Sequence, residues 1–283
     1  MPSGVQFELV DTTLRDGDRA GAAFSLEEKL RIATALNRAG IRWIEVGVPA
    51  LREREGETLR QLMSLSPGSA LIAWSRAEPE EIGSAISCGF SHIHISLPVS
   101  DVYIGQKLRR SREWVLGRLF QALEYAQSRG CTVFVGADDA SRADPDFLLH
   151  YAEMAASFGA ARLRYADTTG CLDPFETYRH IRYLTDRCAL PVEFQGHNDY
   201  GLAAANTLSA FHGGAAFASV TVSGIGERAG NASIEEVASS IAYLYKLGTG
   251  VRMDALSELN QLVSAAGGRP GHHYRSVFTA ING

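Results

Sequence analysis

The chain has 283 residues, 46% hydrophobic and 21% charged, which describes a folded globular protein and excludes a disordered one. Its formal net charge of −5 supplies no basic patch for nucleic acid or an anionic membrane, so neither partner is expected. Cys88, Cys131, Cys171 and Cys188 show no C-x-x-C spacing, and neither a secretory leader nor an apolar run of about 18 residues is present, so free thiols in a cytoplasmic protein are expected.

Val5 to Val10 reads as an opening strand that runs out at Asp11-Thr-Thr-Leu-Arg-Asp-Gly17. Ser25-Leu-Glu-Glu28 forms a capping box, and Leu26, Leu30, Ala33 and Leu36 follow at helical spacing until Gly40. Ile41 to Val48 is the second strand, with a helix from about Glu53 to Leu65. Ala70 to Trp74 is the third, followed by a helix with Pro79 in its first turn, and His92 to Leu97 is the fourth. A loop from Pro98 to Arg110, polar and then basic, precedes a helix with Trp114, Leu119, Leu123 and Ala126 on one face. Loops of that length are often functional. Thr132 to Ala137 is the fifth strand and Arg162 to Ala166 the sixth, each followed by an Asp-Pro helix start, Asp144-Pro145 and Asp173-Pro174. Pro191 to Gln195 is the seventh strand, Leu202 to Phe211 a helix, Ala218 to Ser223 the eighth strand, and Ser233-Ile-Glu-Glu236 opens the helix after it.

Eight strand-helix units at even spacing, with short apolar strands of the kind buried on both faces, predict one closed (β/α)8 barrel over residues 1–250. A doubly wound open sheet is the competitor, but no G-x-G-x-x-G follows the first strand. Residues 251–283 add one helix, about Met253 to Ala266, and a tail rich in glycine and polar residues. Leu256, Leu259, Leu262 and Val263 form an apolar stripe on that helix, from which a homodimer interface is expected.

In such a barrel the chemistry lies at the C-terminal strand ends. Those ends carry Arg15 and Asp16, Glu45, His94 and Ser96, Asp138 and Asp139, Asp167 and Thr168, Glu193 through Asp199, and Glu227 through Asn231. A carboxylate suits a hard divalent ion, and a guanidinium beside it can bind the oxyanion of a substrate that the ion already holds. Glu193, Gln195 and His197 stand two apart and share one face, directed to the barrel mouth, while Val192 and Phe194 face the helices. Converging with Asp16, they would make a divalent-metal site with open positions.

These residues carry a resemblance. Asp11-Thr-Thr-Leu-Arg-Asp-Gly17, Ile44-Glu-Val-Gly-Val-Pro-Ala50, His94-Ile-Ser-Leu-Pro-Val-Ser-Asp101, Asp139-Ala-Ser-Arg-Ala-Asp144, Ala166-Asp-Thr-Thr-Gly170, Gly196-His-Asn-Asp-Tyr-Gly201 and Gly226-Glu-Arg-Ala-Gly-Asn231 occur in the order found in one metal-dependent barrel family. The chain resembles the family of isopropylmalate, citramalate and homocitrate synthases and 3-hydroxy-3-methylglutaryl-CoA lyase, most of all the homocitrate synthases of the nitrogenase-associated kind. The resemblance implies that Asp16, Gln195, His197 and Asn231 surround a divalent metal, Mg²⁺ or Mn²⁺ rather than Zn²⁺, and that Arg15 stabilises the developing enolate or alkoxide. It implies that Glu45 and Glu193 orient substrate or relay protons, and that Arg19, His94, Ser96, Asp138, Arg142 and Thr168 bind substrate. The activity implied is a Claisen condensation of acetyl-CoA with a 2-keto acid, 2-oxoglutarate or a relative. The lyase branch carries a cysteine in the glycine loop after strand eight, where this chain reads Gly224-Ile-Gly-Glu-Arg.

Four positions depart from the family pattern. Gln195 stands where the first histidine of His-x-His belongs, Asp18-Arg19 replaces Glu-Gln, and Asp138-Asp139 replaces Glu-Asp. The family's Phe-Thr-His-Glu-Ser-Gly-Ile-His segment, which supplies a catalytic histidine, has as its counterpart Phe278-Thr-Ala280 close to Gly283. An aldolase or lyase on the same enolate chemistry, or a non-catalytic partner subunit, therefore stands beside the synthase as an expectation.

Overall fold

Short strands buried on both faces have to be covered by helices outside and by each other's side chains inside, and closing the sheet does both. A computed structural model describes residues 7–47, 60–64 and 68–267. Eight strands, β1 (Glu8–Asp11), β2 (Trp43–Glu45), β3 (Ala70–Arg76), β4 (His92–Pro98), β5 (Thr132–Asp138), β6 (Arg162–Asp167), β7 (Val192–Gly196) and β8 (Phe217–Val220), form a closed barrel in chain order. Every neighbouring pair is parallel, including β8 against β1. The fold is a TIM barrel.

Helices α1 (Thr13–Arg19), α2 (Leu26–Arg38), α3 (Pro79–Ser87), α4 (Arg112–Gln127), α5 (Pro145–Ser157), α6 (Pro174–Thr185), α7 (Ala203–His212), α8 (Ile234–Tyr245) and α9 (Leu256–Gly267) accompany it. The expected caps form. Ser25 and Glu28 bond reciprocally, and Asp144, Asp173 and Ser233 each accept from backbone N–H groups in the first turn of their helices.

Three differences from the sequence expectation matter. Arg15 and Asp16 lie on α1, a short helix that starts directly after β1 and was not expected there. It has no side-chain cap, because the hydroxyl of Thr12 donates to Asp16 Oδ2 at 2.7 Å. The segment Val102–Leu108, expected as loop, is π-helical and buries Ile104, its single anchor, which leaves no apolar stripe to read. Strand β8 ends at Val220 because Val222–Gly224 coil tightly with Ser223 at φ 56°. The helix expected from Glu53 to Leu65 lies mostly outside the described residues, of which 60–64 are helical.

The apolar stripe from which a homodimer was expected packs mostly inward, with Leu262 only partly buried. Leu256, Leu259 and Val263 are buried within the protein's own core, where α9 lies against α2 and the turn after β8. They are not free to meet a second copy.

Inside the barrel the N-terminal floor is apolar. Val10, Ile72 and Phe134 cluster with Trp43 and Phe217, and His92 stacks on Phe134 with ring centroids 6.0 Å apart. The Arg162 guanidinium lies over this floor, 4.1 Å from the Phe134 ring and 4.4 Å from that of Phe217. From Arg162 upward the filling becomes ionic, and it leads to the mouth.

Candidate active site

A charge in a barrel interior needs a partner, since desolvation costs several kcal/mol per ion. Here the partners form a column. Arg162 Nε contacts Glu193 Oε2 at 2.7 Å, and Arg164 Nε donates to Glu193 Oε1 at 2.7 Å, where Ser219 also donates. Arg164 then grips Glu45 with both Nη groups, at 2.7 and 3.2 Å, and Arg15 Nη1 reaches the other side of Glu45 at 2.5 Å. Arg15 ends the column on Asp16, donating from Nε at 2.8 Å and from Nη2 at 3.0 Å. Cations and carboxylates alternate through six side chains, so the column carries no net charge.

Asp16 is the top of the column and the collecting point of the mouth. Besides Arg15 and Thr12 it accepts from Asn231 Nδ2 at 3.2 Å and, at a long 3.5 Å, from Gln195 Nε2. Asn231 Nδ2 also donates to Ile225 O at 3.0 Å, which fixes the amide and leaves its Oδ1 buried without a partner. His197 is bridged to Asn231 through the backbone, and its buried Nδ1 has no hydrogen-bond partner. Burial lowers the His197 pKa, with Asp16 opposing, so the imidazole is neutral and able to act as a ligand. Gly226 makes this arrangement possible, since a Cβ there would lie 2.2 Å from Asn231 Nδ2.

Among the described residues no group of three or more His, Cys, Asp and Glu side chains is placed to hold a metal. Amide oxygens therefore have to complete any shell. Asp16, His197, the spare Asn231 Oδ1 and, with its amide turned, the Gln195 oxygen are the candidates for such a set. Three oxygens and one nitrogen fit Mg²⁺ or Mn²⁺ better than Zn²⁺.

The remaining candidates divide. Glu45 reaches the site through Arg15; burial pushes its carboxyl pKa up, but Arg15 and Arg164 outweigh this and hold it below the usual range. Glu193 does face the interior, as the alternation required, yet it lies beneath Arg164 and is fully buried, so it does not reach the mouth. His94 is also below, 3.3 Å from Glu45. Neither of its ring nitrogens is hydrogen-bonded, and burial and then Arg164 keep it neutral. A Cβ at position 136 would come within 2.5 Å of its Nε2, so Gly136 gives the ring its room. Ser96 donates to Asp138 Oδ1 at 2.6 Å, and burial raises the Asp138 pKa.

Thr168 and Arg142 belong to a neighbouring group. Arg142 is bidentate on Asp139 at 2.8 and 2.7 Å, and the Asp139 N–H donates to Thr168 Oγ1. Together with Tyr103, Lys107 and Arg228 they line a cavity of about 490 Å³ beside the mouth. Arg162, Arg164 and Ser219 were not among the residues expected to matter. The signal was Arg162-Leu-Arg164, two arginines on one face of a strand too apolar to expose them.

The profile of the HMGL-like family matches residues 6–263. The chain belongs to the HMGL-like family. This HMGL-like protein is 42% identical over 263 residues to 2-isopropylmalate synthase 2 of Caldanaerobacter subterraneus subsp. tengcongensis, covering 93% of the chain and 68% of that protein. It is 43% identical over 259 residues to homocitrate synthase 1 of Nostoc sp., covering 91% of the chain and 69% of the relative. Against the homocitrate synthase subunit alpha of Clostridium pasteurianum the identity is 39%, over 90% of the chain and 96% of that subunit. Among solved structures, hydroxymethylglutaryl-CoA lyase from Pseudomonas aeruginosa superposes with a TM-score of 0.85 at 20% identity, covering 99% of both chains, which is a likeness of fold.

Proposed function

We propose that the chain is a condensing acyltransferase that joins acetyl-CoA to a 2-keto acid, 2-oxoglutarate or a relative, at a divalent metal. The observation that carries this reading is the convergence of Arg15, Gln195 and Asn231 on Asp16 at the barrel mouth. The synthases among the relatives support the reaction class. A divalent ion held by Asp16, His197, Asn231 and Gln195 would polarise the keto carbonyl.

The protein's own groups do the rest. Three of the five Arg15 N–H bonds are held by Asp16 and Glu45. Among the described residues the other two have no partner, so they can meet an oxygen as it becomes an alkoxide, and Glu45, kept ionised, locks the fork against rotation. Fixed cations of this kind lower a barrier by about 3–4 kcal/mol. Lys107 at the side cavity suits a phosphate of an acyl-CoA. The test is release of free CoA from acetyl-CoA across a panel of 2-keto acids with Mg²⁺ or Mn²⁺. Release with none of them removes the reading.

One observation favours a second reading, in which the chain works beside a different partner subunit. A relative that it matches nearly end to end is itself named a subunit, and most of the α9 stripe that suggested a homodimer packs on the protein's own core. CoA release only after a second chain is added supports this reading; full release from a monomer or homodimer in light scattering removes it.

A further inference from the structure

Of the guanidinium groups that fill the barrel and its mouth, nearly all are closed onto carboxylates. Arg15 holds Asp16 and Glu45, Arg164 holds Glu45 and Glu193, Arg162 contacts Glu193, Arg142 holds Asp139 and Arg228 holds Asp199. Arg19 is different. Among the described residues no carboxylate pairs with it, and its chain neighbour Asp18 is taken by Lys29 at 2.5 Å. It lies instead on an aromatic face, the guanidinium carbon 4.4 Å from the centroid of Trp74.

That contact places Arg19 over the mouth. Ile72 belongs to the barrel interior, and Trp74 stands two residues further along β3, on the same face and toward the C-terminal end. The charges that act on Arg19 come from Arg15, Asp16, Glu227 and Asp138, that is, from the ends of β1, β5 and β8. The side chain is exposed at the mouth, where desolvation and then Arg15 lower its pKa against the opposing pull of Asp16, Glu227 and Asp138. A guanidinium lying on an indole keeps its in-plane N–H groups directed outward, the geometry that takes a carboxylate bidentately.

We propose that Arg19 is a specificity-determining residue that binds the distal carboxylate of a 2-oxo dicarboxylate, so that the acceptor of the reaction is a dianion and not a monocarboxylic 2-oxo acid. This rests on the condensation reading above and names the residue that selects its substrate. Arg15 and the Asp16 cluster take the reacting end of the acceptor, and Arg19 takes the other.

The experiment is calorimetric titration of the full chain in Mn²⁺ buffer with oxaloacetate and 2-oxoglutarate, against pyruvate and 2-oxoisovalerate, for wild type, R19Q and R19K. Wild type should prefer at least one dianion. R19Q should lower the dianion-to-monoanion affinity ratio about tenfold to a hundredfold, the value of a charge-assisted pair, and R19K should recover part of it. A ratio unchanged in R19Q overturns the inference, even where CoA release shows that condensation takes place. An Arg19-dependent ratio without CoA release keeps the inference and removes the condensation reading. Failure of all four acids to bind overturns both.

Discussion

Arg164 is the keystone of the barrel column, and removing it tests whether that column sets both stability and the site. In Arg164→Met a thioether of similar length replaces a guanidinium that holds Glu45 through two bonds and Glu193 through one, all in full burial. Glu193 keeps Arg162 and Glu45 keeps Arg15, so neither carboxylate is left alone, but each loses its best partner. Removing one member of a buried ion pair costs about 3–5 kcal/mol. With about 2.1 cal/mol/K of unfolding entropy per residue, 283 residues give ~0.6 kcal/mol/K, so the melting temperature should fall by about 5–8 °C. The sign with pH follows from Glu45, whose pKa is depressed in the fold. Its contribution is present above the ordinary carboxylate pKa and is lost as pH falls toward its folded value, so the gap between wild type and variant should narrow in acid. Adding Glu45→Gln to Arg164→Met removes the excess negative charge, leaves Arg162 with Glu193 and Arg15 with Asp16, and should recover much of the loss. Thermal and urea denaturation of the three proteins measures this. A loss under about 1 kcal/mol in Arg164→Met, or no recovery in the double variant, would mean that the column is not what holds the interior together.

The other predictions concern the mouth and its support. Gln195→His restores two imidazoles beside Asp16 and should strengthen Zn²⁺ and Mn²⁺ binding about tenfold or more in calorimetric titration; unchanged affinity for both ions places Gln195 outside any coordination shell. Asp11 is fully buried, and burial, opposed by two bonds from Thr13, raises its pKa from 3.8 to about 7. Because the folded state holds this proton more tightly, stability should fall as pH rises from about 4 to 7, by ~4 kcal/mol at about 1.4 kcal/mol per pH decade. Asp11→Asn should flatten that part of the melting-temperature profile, and an unaltered profile would contradict the assignment. Gly136→Ala forces a methyl to within 2.5 Å of His94 Nε2 and 2.7 Å of Ser96 Oγ, both well buried. It should cost about 1–3 kcal/mol as overpacking and weaken keto-acid binding; a neutral effect on both measurements would show that His94 is free to move.

The sequence by itself determined the barrel. Strand and helix periods, the Ser25, Asp144, Asp173 and Ser233 caps and the even spacing are local patterns, and a closed parallel sheet is the arrangement that buries all of them. It also gave Arg15, Asp16, Gln195, His197 and Asn231 as one cluster at the strand ends. What it did not determine is which side of a strand's length each inward group occupies. Glu193 and Gln195 are two residues apart on one face, but the tilt of the barrel strands and the stagger between them set one below Arg164 and the other beside Asp16, and that offset belongs to the closed sheet alone. Nor could a chain order show that Arg164 from β6 spans Glu45 from β2, since ion pairing across a barrel links residues 119 apart in sequence. The solitary state of Arg19 is of the same kind. Its charge is written in the sequence, but that no carboxylate pairs with it among the described residues emerges only when Lys29 takes Asp18 and Trp74 takes the guanidinium face.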